Sequence, residues 1–255
     1  MTLRSLVGGR VVADVVGSGG PLVVLLHGWG RDRRDLLPVV DGLPLAVAAL
    51  DLPGFGTSPA PPEPWGAADY AAVVGDAVTD LLGPGLGAGA GSVVLVGHSF
   101  GGRVAVALAA GDDRVAGLLL TGVPLLRGTG GRAAPAFRAV RALHRLGLVP
   151  DVTMERARQR HGSADYRAAR GVMRDTLVRL VGESYEAELA ALRCPVRLVW
   201  GALDTAAPVE VARRAAGLLQ VPHDLLVLDG VGHDVHRERP EPLRRALDAL
   251  CGIGP

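Results

Sequence analysis

The chain reads as an α/β protein in which a mostly parallel, twisted sheet is flanked by helices and interrupted by a helical insertion. Three observations predict this class. Short apolar runs at residues 22–26, 93–96, 115–121 and 196–200 have the unbroken character of strands buried on both faces. Stretches of helical spacing separate them, and strands alternating with helices build parallel, doubly wound sheets. Between residues 125 and 192 the strand-like runs stop and amphipathic helices take over.

Each element follows from local pattern. Residues 3–7 and 10–16 flank Gly8-Gly9 and read as a hairpin with a two-residue turn. A glycine-rich turn at 17–21 leads into the strand at 22–26, followed directly by His27-Gly28-Trp29-Gly30. A second apolar strand, 45–50, ends in Asp51-Leu52-Pro53-Gly54-Phe55-Gly56-Thr57-Ser58 and a proline-rich loop to Trp65. Residues 67–82 place Ala71, Val74, Val78 and Leu81 or Leu82 on one helical face. A glycine-rich linker, 83–91, precedes the strand at 93–96, and a helix is expected over 102–110. Helices are then expected at 135–146, 166–181 and 184–192, with Arg138, Arg141 and Arg145 on a wet face of the first. The strand at 196–200, a helix over 209–219, a strand at 225–228 and a closing helix over 241–250 complete the chain.

Composition narrows the function classes. The 255 residues suit one large α/β domain, or a core domain with an insertion. The 27 basic residues, all arginine, nearly cancel 26 acidic ones, so no polyanion is expected as partner: no nucleic acid and no membrane. No apolar stretch reaches the roughly 20 residues needed to span a bilayer, and the first 20 lack a signal-peptide core, so a cytoplasmic location is expected. Cys194 and Cys251 lack metal or redox spacing. No cofactor and no metal site are expected, and monomer and homodimer stay equally open.

The chemistry gathers around Gly97-His98-Ser99-Phe100-Gly101, a G-x-S-x-G pentapeptide set between an apolar strand and a helix. In that context the pattern is a nucleophile elbow, a tight turn that lifts one serine hydroxyl into a cleft. In a chain with 36 glycines the pentapeptide also arises as a plain strand-to-helix connection. A nucleophilic serine needs a base, and the base needs an acid to fix its tautomer. His233 follows the last strand and Asp204 follows the strand ending at Trp200. Asp204 is also placed to cap the following helix. Asp229, four residues before His233, is the nearest rival acid. His98 is read as structural, and Asp234, His236 and His144 as solvated.

The order Ser99, Asp204, His233 is that of the α/β-hydrolase arrangement, and with it the chain resembles the α/β-hydrolase family along its whole length. His27-Gly28-Trp29-Gly30 resembles the family's oxyanion loop, and residues 51–58 resemble its loop after the next strand. The resemblance implies a core domain of residues 1–124 and 193–255 with a helical cap of residues 125–192. It also implies Ser99 as nucleophile, His233 as general base and Asp204 as its orienting acid, with the backbone N–H groups of Trp29 and Phe100 as oxyanion donors. Trp29, Phe100, Phe137, Met154 and Met173 are the candidate pocket residues. The expected reaction is hydrolysis of a small hydrophobic carboxylic ester, lactone or thioester through an acyl-enzyme. Two other readings stay open: carbon–carbon hydrolysis of the meta-cleavage-product type, and a ligand receptor of the same fold that does not turn over. Members of the carbon–carbon type carry an aromatic residue just after the base, where this chain has Asp234.

Overall fold

The structure, a computed structural model, describes residues 2–17, 22–83, 91–127, 135–161 and 163–252. Most of the turn at 17–21 and of the linker at 83–91 lies outside those residues, as do the side chains of Arg138 and Arg141. The strands are β1 (Thr2–Leu6), β2 (Val11–Val16), β3 (Leu22–Leu26), β4 (Ala46–Asp51), β5 (Val93–His98), β6 (Val115–Thr121), β7 (Val196–Gly201) and β8 (His223–Leu228). They form one sheet in the order β1-β2-β4-β3-β5-β6-β7-β8. β2 pairs antiparallel with β1 and β4, and from β4 to β8 the pairing is parallel.

The helices are α1 (Leu37–Val40), α2 (Ala67–Leu82), α3 (Phe100–Ala109), α4 (Pro135–Arg145), α5 (Asp151–His161), α6 (Ala164–Ala168), α7 (Gly171–Val181), α8 (Glu186–Ala191), α9 (Val209–Ala216), α10 (Val235–Glu238) and α11 (Pro240–Cys251). The period-two alternation of each central strand divides them into two layers. Val24, Leu26, Leu95, Leu118 and Leu120 face a core shared with α2, α3, α8 and α9. Val23, Leu25, Val94, Val96 and Leu119 face the opposite core, closed by α1, α10 and α11. Because every strand residue meets one layer or the other, the central strands carry no polar alternation. α11 shows how sequence sets helix limits: Pro240 opens it and Gly252, at φ 67°, closes it in the left-handed conformation.

Besides the short helices α1 and α10, which the sequence reading does not include, three details depart from it. The β1–β2 connection is a short helical turn over Val7–Gly9 rather than a two-residue Gly8-Gly9 turn. Val7 takes φ 54°, and its N–H donates to Asp80 Oδ2 on α2 at 2.6 Å. The helix expected over 166–181 is two helices, because Arg170 is extended (φ −135°, ψ 156°) and Gly171 has φ 50°. α5 was not anticipated: within Asp151–His161 only Met154 is a large, fully buried apolar side chain, so the segment offers no apolar stripe.

Helices α4 to α8 connect β6 to β7. The α7–α8 part is tied to the sheet-bearing body by polar contacts. Thr176 Oγ1 accepts from Trp65 N at 3.1 Å, Glu183 Oε2 accepts from Ala67 N at 3.1 Å, and Arg179 Nη1 donates to the Pro64 carbonyl at 2.8 Å. Arg103, inside α3, donates through Nη1 to the Leu180 carbonyl and lies 6.0 Å from the Tyr185 ring. The helix that begins beside Ser99 is thereby joined to the inserted helices.

Candidate active site

Ser99 stands between β5 and α3 with φ 49° and ψ −111°, a left-handed region that non-glycine residues rarely occupy. The neighbouring backbone leaves no slack. A Cβ on Gly101 would lie 2.1 Å from the Leu26 carbonyl oxygen, and one on Gly97 would lie 2.5 Å from Gly102 Cα. Both glycines are therefore required by close approach of strand and helix. Ser99 N donates to the Thr121 carbonyl at 3.0 Å, fixing the turn to the end of β6. Strain held this way by its surroundings is typical of functional turns.

His233 follows β8, and its ring packs over the backbone just past that same anchor. A Cβ on Gly122 would fall 2.9 Å from His233 Cε1. His233 Nδ1 lies 2.8 Å from Asp204 Oδ2, and the Asp204 side chain is fully buried while His233 remains partly exposed. The other oxygen, Oδ1, accepts from the backbone N–H groups of Ala206 (2.9 Å) and Ala207 (2.8 Å). Asp204 thus meets the histidine with one oxygen and holds the turn before α9 with the other, while the N-cap position of α9 itself is Pro208, without a side-chain cap. Asp229 is exposed at the end of β8. Burial opposes charge on His233, but the hydrogen bond and charge of Asp204, with Asp234 and Asp165 nearby, outweigh it and raise its pKa above the ordinary value.

The loop after β3 is held by His27. Its Nε2 accepts from Leu52 N at 3.1 Å, so the hydrogen sits on Nδ1, which faces the Gly28 carbonyl at 2.7 Å. Burial lowers its pKa and keeps it neutral. A Cβ on Gly28 would stand 3.7 Å from Ser99 Cβ, so this loop passes directly beside the Ser99 turn. The Phe100 N–H is in the first turn of α3, where the helix supplies no acceptor. Asp51, fully buried, organises the next loop: it accepts from Arg33 N (2.8 Å), Arg33 Nη1 (2.6 Å), Thr57 N (2.8 Å) and Thr57 Oγ1 (3.0 Å).

Of the candidate pocket residues, Trp29 and Phe100 meet edge-to-face at 5.4 Å. Phe55 packs on both (4.9 and 5.6 Å), and Tyr70 meets Phe100 at 4.9 Å. Met173 reaches in from α7, where a Cβ on Gly54 would lie 2.3 Å from its sulfur. Met154 is buried on α5 outside the core group that holds Phe100 and Met173, and Phe137 is half-buried on α4. Phe55 and Tyr70 were not singled out in the sequence. A lone aromatic in a helix or loop carries no signal of what it will face.

One expectation is overturned. His236, read as solvated, is fully buried, and Asp35, His98 and His236 converge behind the Ser99 turn. His98, read as structural, is buried, and its ring lies 4.8 Å from that of His233 and 4.4 Å from that of His236. Asp234 is partly exposed and pairs with Arg31 at 3.1 Å, and His144 pairs with Asp151 at 2.7 Å.

A serine on a strained strand-to-helix turn, with an imidazole and a carboxylate paired beyond later strands of a parallel sheet, is the architecture of an α/β hydrolase. The chain belongs to the alpha/beta hydrolase family, whose model matches residues 23–246. It is 30% identical over 217 residues to the pimeloyl-[acyl-carrier protein] methyl ester esterase of Chromobacterium violaceum, covering 76% of this chain and 80% of that one. It is 28% identical to the 2-hydroxy-6-oxononadienedioate/2-hydroxy-6-oxononatrienedioate hydrolase of Burkholderia vietnamiensis, covering 93% and 89%. A 42-residue stretch is 55% identical to the biotin biosynthesis bifunctional protein of Cellvibrio japonicus, but the match spans only 8% of that protein. Among solved structures, esterase RhEst1 from Rhodococcus sp. ECU1013 superposes over 100% of both chains with a TM-score of 0.69 at 25% identity. Among the described residues no helix is long and apolar enough to cross a membrane.

Proposed function

We propose that the protein is a serine hydrolase of small hydrophobic carboxylic esters, lactones or thioesters, working through an acyl-enzyme. The observation that carries this reading is the 2.8 Å contact of His233 Nδ1 with buried Asp204, on the side of the ring away from Nε2. The carboxylate holds the hydrogen on Nδ1 and leaves Nε2 as the basic nitrogen. Ser99 attacks the acyl carbon while His233 takes its proton. His233 then returns that proton to the leaving oxygen, or to the leaving sulfur of a thioester, and water repeats the sequence to release the acid. The backbone N–H groups of Trp29 and Phe100 face the developing oxyanion, a contribution worth about 3–4 kcal/mol per donor in such sites. The helices between β6 and β7 act as the cap, and Met173, Trp29, Phe100 and Phe55 form the apolar wall that receives the acyl or aryl group.

A second reading, carbon–carbon hydrolysis, is favoured by the 28% identity to the Burkholderia hydrolase over nearly the whole chain. The test is steady-state turnover of a chain-length series of p-nitrophenyl esters alongside a vinylogous diketone acid. Turnover of the esters with a medium-chain optimum supports the first reading. Preference for the diketone by kcat/KM replaces it with the second. Turnover of neither by folded protein removes both in favour of a ligand receptor.

A further inference from the structure

Asp35 precedes α1 on the segment that begins with the His27 loop, His98 ends β5 immediately before Ser99, and His236 lies in α10, three residues past His233. Their side chains are 0–3% exposed. One ligand atom from each lies within 4.8 Å of the others, and among the described residues no other such group is found. His236 Nε2 is 3.2 Å from Asp35 Oδ1, and His98 Nδ1 is 3.7 Å from Asp35 Oδ2, neither in hydrogen-bonding geometry.

The hydrogens in this cluster do not match its acceptors. Asp35 Oδ1 is served by Arg237 through Nη2 (2.7 Å) and Nε (3.1 Å), whereas Oδ2 has no partner. His98 Nε2 faces the His233 carbonyl oxygen at 3.3 Å and Asp234 Oδ1 at 3.8 Å, so its hydrogen belongs there. Its Nδ1 then turns a lone pair toward a carboxylate oxygen. Both nitrogens of His236 are also without a hydrogen bond. Of seven buried side-chain polar atoms left unpaired among the described residues, four belong to these three side chains. Each such atom costs about 1–3 kcal/mol, so a concentration of four calls for an occupant. Gly28 lies tight against His98, since a Cβ there would stand 2.7 Å from Nδ1.

We propose that Asp35, His98 and His236 form a closed site for a divalent first-row transition cation of the zinc type, bracing from behind the segments that carry Ser99 and His233. Two imidazole nitrogens and one carboxylate are the donor set such ions take. The two imidazoles stand nearest different carboxylate oxygens, 3.2 Å from His236 Nε2 to Oδ1 and 3.7 Å from His98 Nδ1 to Oδ2, so Asp35 offers both oxygens, and bonds of about 2.1 Å, spanning at most about 4.2 Å, draw the wider pairs inward. Arg237 stands behind the carboxylate as its outer partner and moderates its charge, so micromolar affinity is expected rather than the tightest binding. The three side chains are shut away from the cleft, so the ion is structural and the ester chemistry does not pass through it.

The test is metal binding to chelator-stripped protein. It combines zinc content by elemental analysis, a cobalt titration followed by visible absorption, and thermal unfolding with and without zinc. One ion per chain, a visible cobalt spectrum and a raised Tm are expected. His236→Gln and Asp35→Asn should weaken binding by on the order of 100-fold or more, while His144→Gln, outside the cluster, should leave it unchanged. If either cluster variant fails to fold, wild-type stoichiometry and its retention in His144→Gln decide the matter. No uptake by folded wild type would mean that a buried water, or packing alone, fills the cluster. Uptake retained in His236→Gln and lost in His144→Gln would place the ion at the surface. Either result overturns the proposal.

Discussion

Asp204 divides its two oxygens between two tasks: Oδ2 meets His233 Nδ1 at 2.8 Å, and Oδ1 holds the backbone N–H groups of Ala206 and Ala207. An amide can keep the second task while failing the first, because it would present N–H₂ to a ring that needs an acceptor. Asp204→Asn is therefore expected to keep the fold and to lower kcat by ~10,000-fold, through the wrong histidine tautomer. Steady-state kinetics with a circular-dichroism melt checks this, and a loss under tenfold would detach Asp204 from the reaction.

The same pairing sets a pH profile. His233 accepts a proton only when neutral, and its surroundings raise its pKa. Activity is lost as pH falls, so kcat/KM should climb with pH through a midpoint above about 6.5. Asp234 and Asp165 contribute to the raised value. Asp234→Asn and Asp165→Asn should each move that midpoint to lower pH, more so at low salt. A profile flat between about pH 5 and 8 would show that His233 is not the base.

Close backbone approach makes Gly101 irreplaceable in a way that Gly111 is not. A methyl at 101 meets backbone carbonyl oxygens at 2.1 and 2.6 Å, while at 111 it meets nothing within 4 Å. Gly101→Ala should cost about 3 kcal/mol of stability and displace Ser99, whereas Gly111→Ala should stay within about 0.5 kcal/mol. Urea unfolding midpoints separate the two cases. Equal effects would remove the steric account of the elbow.

Asp51 accepts four hydrogen bonds in a buried setting, two of them from Arg33. Asn at 51 would replace one acceptor by a donor pointed at donors and leave the Arg33 guanidinium with Asp14 (2.8 Å) as its remaining counter-charge. Asp51→Asn should destabilise the fold by about 3 kcal/mol. It should also raise KM, because Phe55, on the loop that Asp51 organises, packs against Trp29 and Phe100. An unchanged Tm would contradict this.

What the sequence disclosed depended on whether the governing interaction is local. The strand at 115–121 and the helix at 67–82 have the limits their apolar patterns give, because each pattern is imposed by the layer it faces. The pairing of Asp204 with His233 could be anticipated because parallel-sheet geometry gathers residues that follow different strands at one end. α5 was hidden because one methionine carries its burial. The split at Arg170–Gly171 was hidden because arginine and glycine also occur inside helices. Asp35, His98 and His236 come from three segments with no shared spacing, so local pattern showed neither the burial of His236 nor the cluster. Likewise, nothing adjacent in sequence shows that Arg103 crosses to the Leu180 carbonyl.

The most direct test of Ser99 as nucleophile is peptide mass mapping after treatment with a fluorophosphonate, with ester turnover followed in the same samples. The account predicts a single phosphonyl adduct on Ser99, turnover lost in proportion to labelling, no adduct in Ser99→Ala, and labelling slowed by orders of magnitude in His233→Ala. Full ester turnover with Ser99 unlabelled, or in the Ser99→Ala variant, would contradict it.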